Sequence, residues 1–494
     1  MALYKKSAAE LSEMLRKREC SSAEICHSII ERTQKIEGKI GAYITLCDDI
    51  MDQAERIDNR RASGEELHPL AGIPIGLKDN ISLKGVKNTC GSRILENYMS
   101  PYDAYVTQKL KKAGMIITGK LNMDEFAMGS STENSYFKRT ANPINTAYVP
   151  GGSSGGCTAA VMSGETIMAL GSDTGGSVRQ PSAFCGAVGF KPTYGRVSRY
   201  GLTAFASSLD QIGTVCRDVS DTALLMSLIS EYDKMDMTSA NRAYPDLLKN
   251  NKTEVCGLRI GIPYEYFGDE ISDKVKESVR SAIKLFESMG ANVKNISLPS
   301  TKYAVNAYYI ISSAEASSNL ARYDGVRYGF RAAEYDSLSD MYLKSRSIGF
   351  GYEVKRRIML GTFVLSSGYY DKYYKKADNA RNLIKRELLT AFENCDIIIT
   401  PTYPTSAFKF GAHRDNSLRL YSDDICTVSA SLSGIPAVSI PCGITKEGLP
   451  IGMQLMGRPF SEELLLSAAY AYEKNTGGFN YISEMTITGG QAND

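Results

Sequence analysis

The spacing of apolar and polar positions divides the chain into short buried strands separated by helices. From Ser7 to about Tyr43 apolar residues recur at helical spacing, with a break near Cys20 where Ser21-Ser-Ala-Glu24 has the form of a capping box. Two helices therefore open the chain. After the turn His68-Pro-Leu-Ala-Gly72, the run Ile73-Pro-Ile-Gly-Leu77 predicts one short buried strand ending at Lys78-Asp79. A helical stretch from Asp103 to Ala113 stops at Gly114, and Met115-Ile-Ile-Thr-Gly119 predicts the next strand. This strand-helix-strand order implies a mixed or parallel sheet and an α/β class.

The same alternation continues downstream. From Gly155 to Gly164, Gly155, Gly156, Thr158, Ala159 and Ala160 predict a helix able to pack closely, and Thr166-Ile-Met-Ala-Leu170 predicts the strand after it. A further unit runs from the strand Leu258-Arg-Ile-Gly-Ile-Pro263 through a helix at about Ser272 to Met289 into a strand near Asn292 to Ile296. Residues 303–392 are helical and rich in Tyr, Ser and Arg, as an inserted cap would be. The sheet resumes with Asp396-Ile-Ile-Ile-Thr400, Ala437-Val-Ser-Ile-Pro441 and Met453-Gln-Leu-Met456, before a helix near Ser461 to Lys474. The last dozen residues read as a frayed tail.

Composition narrows the function classes. The chain has 494 residues, 57 basic and 55 acidic, for a net charge of +2, so no global field points to nucleic acid or an acidic membrane. Eleven cysteines stand singly, an odd number with no Cys-x-x-Cys pair, which is the usage of a reducing compartment. No apolar stretch approaches the ~20 residues a membrane helix needs. The expectation is a soluble cytoplasmic protein.

Two glycine-rich loops carry the candidate chemistry: Pro150-Gly-Gly-Ser-Ser-Gly-Gly156 and Gly171-Ser-Asp-Thr-Gly-Gly-Ser-Val-Arg-Gln-Pro181. A serine hydroxyl is a poor nucleophile until a base takes its proton, and glycines let backbone N–H groups crowd the point of attack. Gly151-Gly-Ser-Ser-Gly155 fits the Gly-x-Ser-x-Gly elbow of α/β-hydrolases, whose histidine follows downstream. Of the three histidines, His27, His68 and His413, only His413 lies downstream, and no motif surrounds it. A Ser-His-Asp triad is therefore disfavoured. Neither loop contains Gly-Lys-Ser/Thr, which weakens a phosphate-binding reading. Taken singly, each loop is most economically a tight packing turn, and Lys78 a solvated lysine.

Together, Gly76-Leu-Lys78-Asp79-Asn80 and the two loops, separated by 75 (153 − 78) and 24 (177 − 153) residues, resemble the amidase signature family. That resemblance implies a single domain over 1–494, with a helical lead-in at 1–65, the cap-like insertion at 303–392, and a mixed, mostly parallel sheet flanked by helices on both faces. It implies a Ser-cis-Ser-Lys triad: Ser177 as nucleophile, Ser153 as the bridge after a cis bond from Gly152, and Lys78 as base. The N–H groups of Thr174, Gly175, Gly176 and Ser177 are the implied oxyanion hole, with Asp173 and Arg179 holding the loop behind it. A lysine serves as base near neutrality only if burial lowers its pKa from ~10.4 by roughly three units. The apolar run before Lys78 suits that.

The likeness is closest to one branch of the family, the A subunits of bacterial glutamyl-tRNA(Gln) or aspartyl-tRNA(Asn) amidotransferases. The segments that carry it include Leu121-Asn-Met-Asp-Glu-Phe-Ala-Met-Gly-Ser-Ser-Thr-Glu-Asn134 and Gly349-Phe-Gly-Tyr-Glu-Val-Lys-Arg-Arg-Ile358. The branch implies a glutaminase in a heterotrimer with B and C subunits. The partner binds the mischarged tRNA, mainly through its B subunit, and uses ATP and Mg²⁺; this chain holds no cofactor or metal. Tyr308, Arg357 and Asp424 stand at positions implied to bind glutamine, with Arg356 the neighbouring alternative for the carboxylate. A planar guanidinium grips a carboxylate bidentately, which a lysine does not. A freestanding amidase of small amides is the alternative activity, and a non-catalytic scaffold the alternative class. The departures from the pattern, Cys157 after the first loop and Thr214 in Ser208-Leu-Asp-Gln-Ile-Gly-Thr214, bear on local packing only. On a helix of small residues Cys157 is a small core filler rather than a second nucleophile.

Overall fold

The computed structural model describes residues 2–243, 247, 255–412 and 423–479. Strands are β1 (Tyr43–Leu46), β2 (Pro74–Lys78), β3 (Ile116–Leu121), β4 (Met168–Asp173), β5 (Val188–Lys191), β6 (Gln211–Cys216), β7 (Arg259–Pro263), β8 (Asn292–Ile296), β9 (Ile397–Pro401), β10 (Ala437–Ile444) and β11 (Pro450–Gly457). Helices are α1 (Ala8–Lys17), α2 (Ser22–Ile40), α3 (Ile50–Ala62), α4 (Tyr105–Lys112), α5 (Gly155–Ser163), α6 (Arg179–Cys185), α7 (Val219–Ile229), α8 (Asp273–Ser288), α9 (Ala304–Asn319), α10 (Leu338–Gly349), α11 (Tyr352–Leu365), α12 (Lys375–Asn394), α13 (Val428–Ser433) and α14 (Glu462–Asn475). None of the described helices is long and apolar enough to cross a membrane.

The helix starts follow their capping chemistry. Ser21 accepts the Glu24 N–H while the Glu24 carboxylate accepts the Ser21 N–H, and Asp58 accepts the Ser22 and Ala23 N–H groups, so all four orphan donors at the head of α2 are paired. The same box recurs at Ser7 and Glu10 before α1. Gly41, in the left-handed region at φ +69°, ends α2.

All eleven strands form one sheet in the order β1-β3-β2-β4-β6-β5-β10-β11-β9-β7-β8. The expected α/β class and mixed sheet are present, but the balance of directions differs from a mostly parallel one. Four pairings are parallel and six antiparallel. The reason lies in the connections: β10 and β11 are joined through Thr445–Leu449, too short for a parallel crossover, and β5 and β6 lie antiparallel in the middle of the sheet. Helices cover both faces. On β11 a Cβ at Gly452 would meet Ala183 of α6, while one at Gly457, an odd number of residues along, would meet Leu465 of α14.

Residues 303–392 supply α9 to α12 and no strand among the described residues. Helix α9 packs between α11 and α12 and is buried along most of its length, including Tyr308 and Tyr309. The final residues expected to fray lie outside the described residues, as does His413.

Candidate active site

Strand β2 runs parallel to β4, with Ile75 to Leu77 opposite Met168 to Leu170, so the carboxyl ends of both strands open on the same edge of the sheet. Crevices at such ends are where open α/β sheets place their ligands. Lys78 ends β2 there, fully buried, and its Nζ donates to Ser153 Oγ at 2.8 Å and to the Ser172 carbonyl at 3.2 Å. The Gly152–Ser153 bond is cis. The Ser154 N–H donates to the Ser177 carbonyl at 3.1 Å, which ties the first serine loop to the second.

Burial pushes the Lys78 amine down to about 8, against the neighbouring Cys157, Asp124, Asp173 and Asp210, which raise it. The direction is the one expected from sequence, with burial as its cause. Near pH 8 a substantial fraction of Lys78 is an uncharged amine able to accept a proton. Ser177 Oγ has no hydrogen-bond partner among the described residues and faces a cavity of about 920 Å³. One leg of the expected relay, Ser153 to Lys78, is therefore a hydrogen bond, and the leg from Ser177 to Ser153 is not.

After β4 the chain turns through Thr174 to Ser177 into the seven-residue helix α6. The N–H groups of Gly175, Gly176 and Ser177 donate to no acceptor among the described residues, and all three residues line the cavity. Gly176 has φ +144°, and a Cβ there would meet Thr427; a Cβ at Gly175 would meet the Tyr308 ring. Only glycine fits either position, so backbone donors lie open where a side chain would cover them. Thr174 is set back from the cavity, its hydroxyl donating to Asp210 Oδ1 at 2.6 Å.

Asp173 and Arg179 hold this turn from behind. Arg179 donates from Nε and Nη2 to the two Asp173 oxygens, each at 2.9 Å, and from its other donors to Thr427, Gln454 and Ser431. Burial raises the Asp173 carboxyl, but the guanidinium outweighs it and the net shift is downward. The pair is fully buried and every charge is hydrogen-bonded, the condition under which a buried ion pair is tolerated.

Tyr308, whose ring lies against Gly175, lines the same cavity together with Tyr309, Arg357 and Asp424. Tyr309 links the last two: its hydroxyl donates to Asp424 Oδ2 at 2.5 Å, and the Arg357 guanidinium lies 4.8 Å above its ring. Arg357 also donates to Glu353 Oε1 at 2.7 Å, one turn back on α11. Burial pushes the Asp424 carboxyl up to about 7, against the pull of Tyr309 and Arg357. The cavity thus brings together the Ser177 hydroxyl, free N–H donors, a cation and a carboxyl group.

Of the residues expected from sequence, Ser177, Gly175, Gly176, Tyr308, Arg357 and Asp424 share the cavity wall, with Lys78 and Ser153 directly behind it. Arg356, the alternative to Arg357, points away: it lines no part of the cavity and pairs with Glu353 at 3.3 Å. Cys157 sits in the fully buried helix α5, its Sγ 3.6 Å from the Leu170 carbonyl, with burial pushing its thiol up to about 12. A thiol so disfavoured as thiolate is no nucleophile. Tyr309, Glu353, Asp210 and Asp124 were not singled out from sequence. Tyr309, Asp210 and Asp124 bond to segments distant along the chain, namely Asp424, Thr174 and Ser153, whereas Glu353 pairs with Arg357 four residues on in the same helix, a spacing the sequence does carry.

The chain belongs to the amidase family, whose model matches residues 24–466. It is similar, at 54% identity over 477 residues and covering 96% of this chain and 98% of the relative, to the A subunit of the glutamyl-tRNA(Gln) amidotransferase of Moorella thermoacetica. The corresponding A subunit of Heliobacterium modesticaldum is 54% identical over 488 residues, 99% of this chain and 100% of the relative. The crystal structure of the glutamyl-tRNA(Gln) amidotransferase A subunit from Thermotoga maritima matches with a TM-score of 0.81 at 42% identity, covering 96% of this chain and 95% of that one.

Proposed function

We propose that this chain is the glutaminase subunit of a cytoplasmic tRNA-dependent amidotransferase, releasing ammonia from glutamine to convert Glu-tRNA(Gln), and Asp-tRNA(Asn) where the organism uses that route, to the amidated form. The observation that carries this reading is the placing of Arg357 and Asp424 in one cavity with Ser177. A free amino acid presents a carboxylate and an ammonium at one end, and a guanidinium beside a carboxylate matches that pair. Near-full-length similarity to the A subunits of such enzymes supports the same reading. The chain would work in a heterotrimer with B and C subunits, the mischarged tRNA held mainly by B, and ATP and Mg²⁺ used by the partner rather than here.

In this scheme Arg357 holds the glutamine carboxylate, Asp424 the ammonium, and Tyr308 packs beside the side chain. As glutamine seats, the Ser177 proton passes to Ser153 and the Ser153 proton to uncharged Lys78, while Ser177 Oγ bonds to the carboxamide carbon. The N–H groups of Gly175, Gly176 and Ser177 receive the oxyanion, each contributing about 3 kcal/mol. The relay returns a proton to the nitrogen, the C–N bond breaks and ammonia leaves. Water then cleaves the acyl ester by the reverse sequence.

The test is glutamate release by the chain co-expressed with B and C subunits, with and without mischarged tRNA. Arg357→Ala is expected to raise the glutamine KM at least about tenfold while leaving hydrolysis of a neutral amide within about threefold. Brisk turnover of simple amides, with no stimulation by partners and no dependence on Arg357, would instead mark a freestanding amidase.

A further inference from the structure

We propose that Asp124, which follows β3, is a positioning residue of the proton relay: it fixes the bridging serine through backbone and side chain together, and its charge sets how readily Lys78 takes the proton. This rests on the proposed roles of Ser177, Ser153 and Lys78.

Three independent contacts carry it. The Asp124 N–H donates to the Ser153 carbonyl at 3.3 Å, so the chain after β3 is bonded directly to the serine that touches the base. The Asp124 carboxylate lies against the residue before that serine: a Cβ on Gly152 would come within 2.1 Å of Asp124 Oδ2, so only glycine admits the approach. The same carboxylate accepts the Thr132 N–H at 2.9 Å and the Asn134 N–H at 3.2 Å, fixing a loop whose Ser130, Ser131 and Asn134 line the cavity. Asp124 thus joins the bridging serine, its preceding peptide and the cavity wall in one buried unit. It touches no reacting atom.

A fully buried carboxylate bonded to two N–H groups has more acceptor capacity than a packing role needs, and its charge acts on the base. Lys78 is faced by Asp124 after β3, Asp173 at the end of β4, Asp210 before β6 and Cys157 on α5, and all four favour its protonated form. Asp173 is paired with Arg179, and Asp210 accepts three hydrogen bonds, from Thr174, Phe205 and Ala206, and lies in the field of Arg199. Asp124 has no such cation: Lys78 and Glu133 are the charged groups that act on it, and burial pushes its carboxyl up to about 7. It is the acid of this set whose ionisation Lys78 feels with least compensation.

The experiment compares wild type, Asp124→Asn and Lys78→Met in the assembled heterotrimer, following glutamate release against pH together with the thermal midpoint. Removing the negative charge makes Lys78 easier to deprotonate, so the acid limb of kcat/KM is expected to move down by about half a pH unit or more. The plateau kcat is expected to fall about tenfold, with the glutamine KM within about threefold because Arg357 and Asp424 are untouched. If Asp124→Asn does not accumulate as folded protein, Asp124→Ser, which keeps an acceptor for one loop N–H, carries the same comparison. An acid limb that stays in place or moves up, or a loss confined to KM, overturns the proposal while Lys78→Met remains inactive. Full activity in Lys78→Met would instead overturn the relay itself.

Discussion

At the scale of single residues, the site depends on one buried amine. Lys78→Met keeps the length and burial of the side chain and removes the proton acceptor, so glutamine hydrolysis should fall about a thousandfold or more with no loss in thermal midpoint. A variant that keeps a tenth of wild-type turnover would exclude Lys78 as the base. Because the proposed relay needs the uncharged amine and burial holds it at about 8, kcat/KM should climb as pH rises through that value, read from initial rates across the neutral and mildly alkaline range. Gly175→Ala tests the oxyanion turn: the added methyl would lie 2.5 Å from the Tyr308 ring, so either the turn or the ring must move. A loss of one well-aimed donor corresponds to roughly a hundredfold in kcat, and unchanged kcat would show that this turn does not hold the oxyanion. The serines and the lysine were legible because their spacing along the chain is itself the signal. Asp124, Tyr309 and Asp210 were not, since each works through contacts that exist only after remote segments are packed together.

Among the elements, the turn between β4 and α6 is the most exacting. Arg179→Met leaves Asp173 ionised, buried and without its counter-charge, a change that costs about 3–5 kcal/mol. The variant should melt well below wild type by calorimetry, and an unchanged midpoint would mean the pair does not brace the fold. Most elements were readable from periodicity: the strand Asn292–Ile296 was placed at its observed bounds, and the helix expected from Ser272 to Met289 spans Asp273–Ser288. What escaped was β1, β5 and β6, together with the helices α3, α6, α7 and α13. The four residues of β5 and the six of β6 are buried on both faces, so they lack the alternation that marks a half-exposed strand. Helix α6 is only seven residues long and fully buried, so no polar face announces it. The mostly parallel sheet was what the family resemblance implied, and the antiparallel pairs β10–β11 and β11–β9 depart from it as much as β5 and β6 do.

Across the whole molecule, buried acids couple stability to pH. Burial raises Asp124, Glu125 and Asp424 to about 7, Asp210 to about 6 and Glu473 to about 8. Their unfolded values lie near ~4, so the folded chain holds protons that the unfolded chain has released. The stability each contributes is complete below about pH 4 and is lost as pH rises through its folded value. The melting midpoint should therefore drop between about pH 5 and pH 7, and Asp424→Asn should flatten part of that drop; a midpoint that rises over this interval would contradict the assignment. Lys191, held down to about 7 by burial, works in the opposite direction above this interval. One arrangement has a wider consequence. The groups of the proposed relay hang from the ends of β2 and β4, whereas Arg357 and Tyr308 reach in from α11 and α9, outside the sheet. A lineage could exchange those outer helices for others and acquire a new diet while inheriting its cutting edge unchanged.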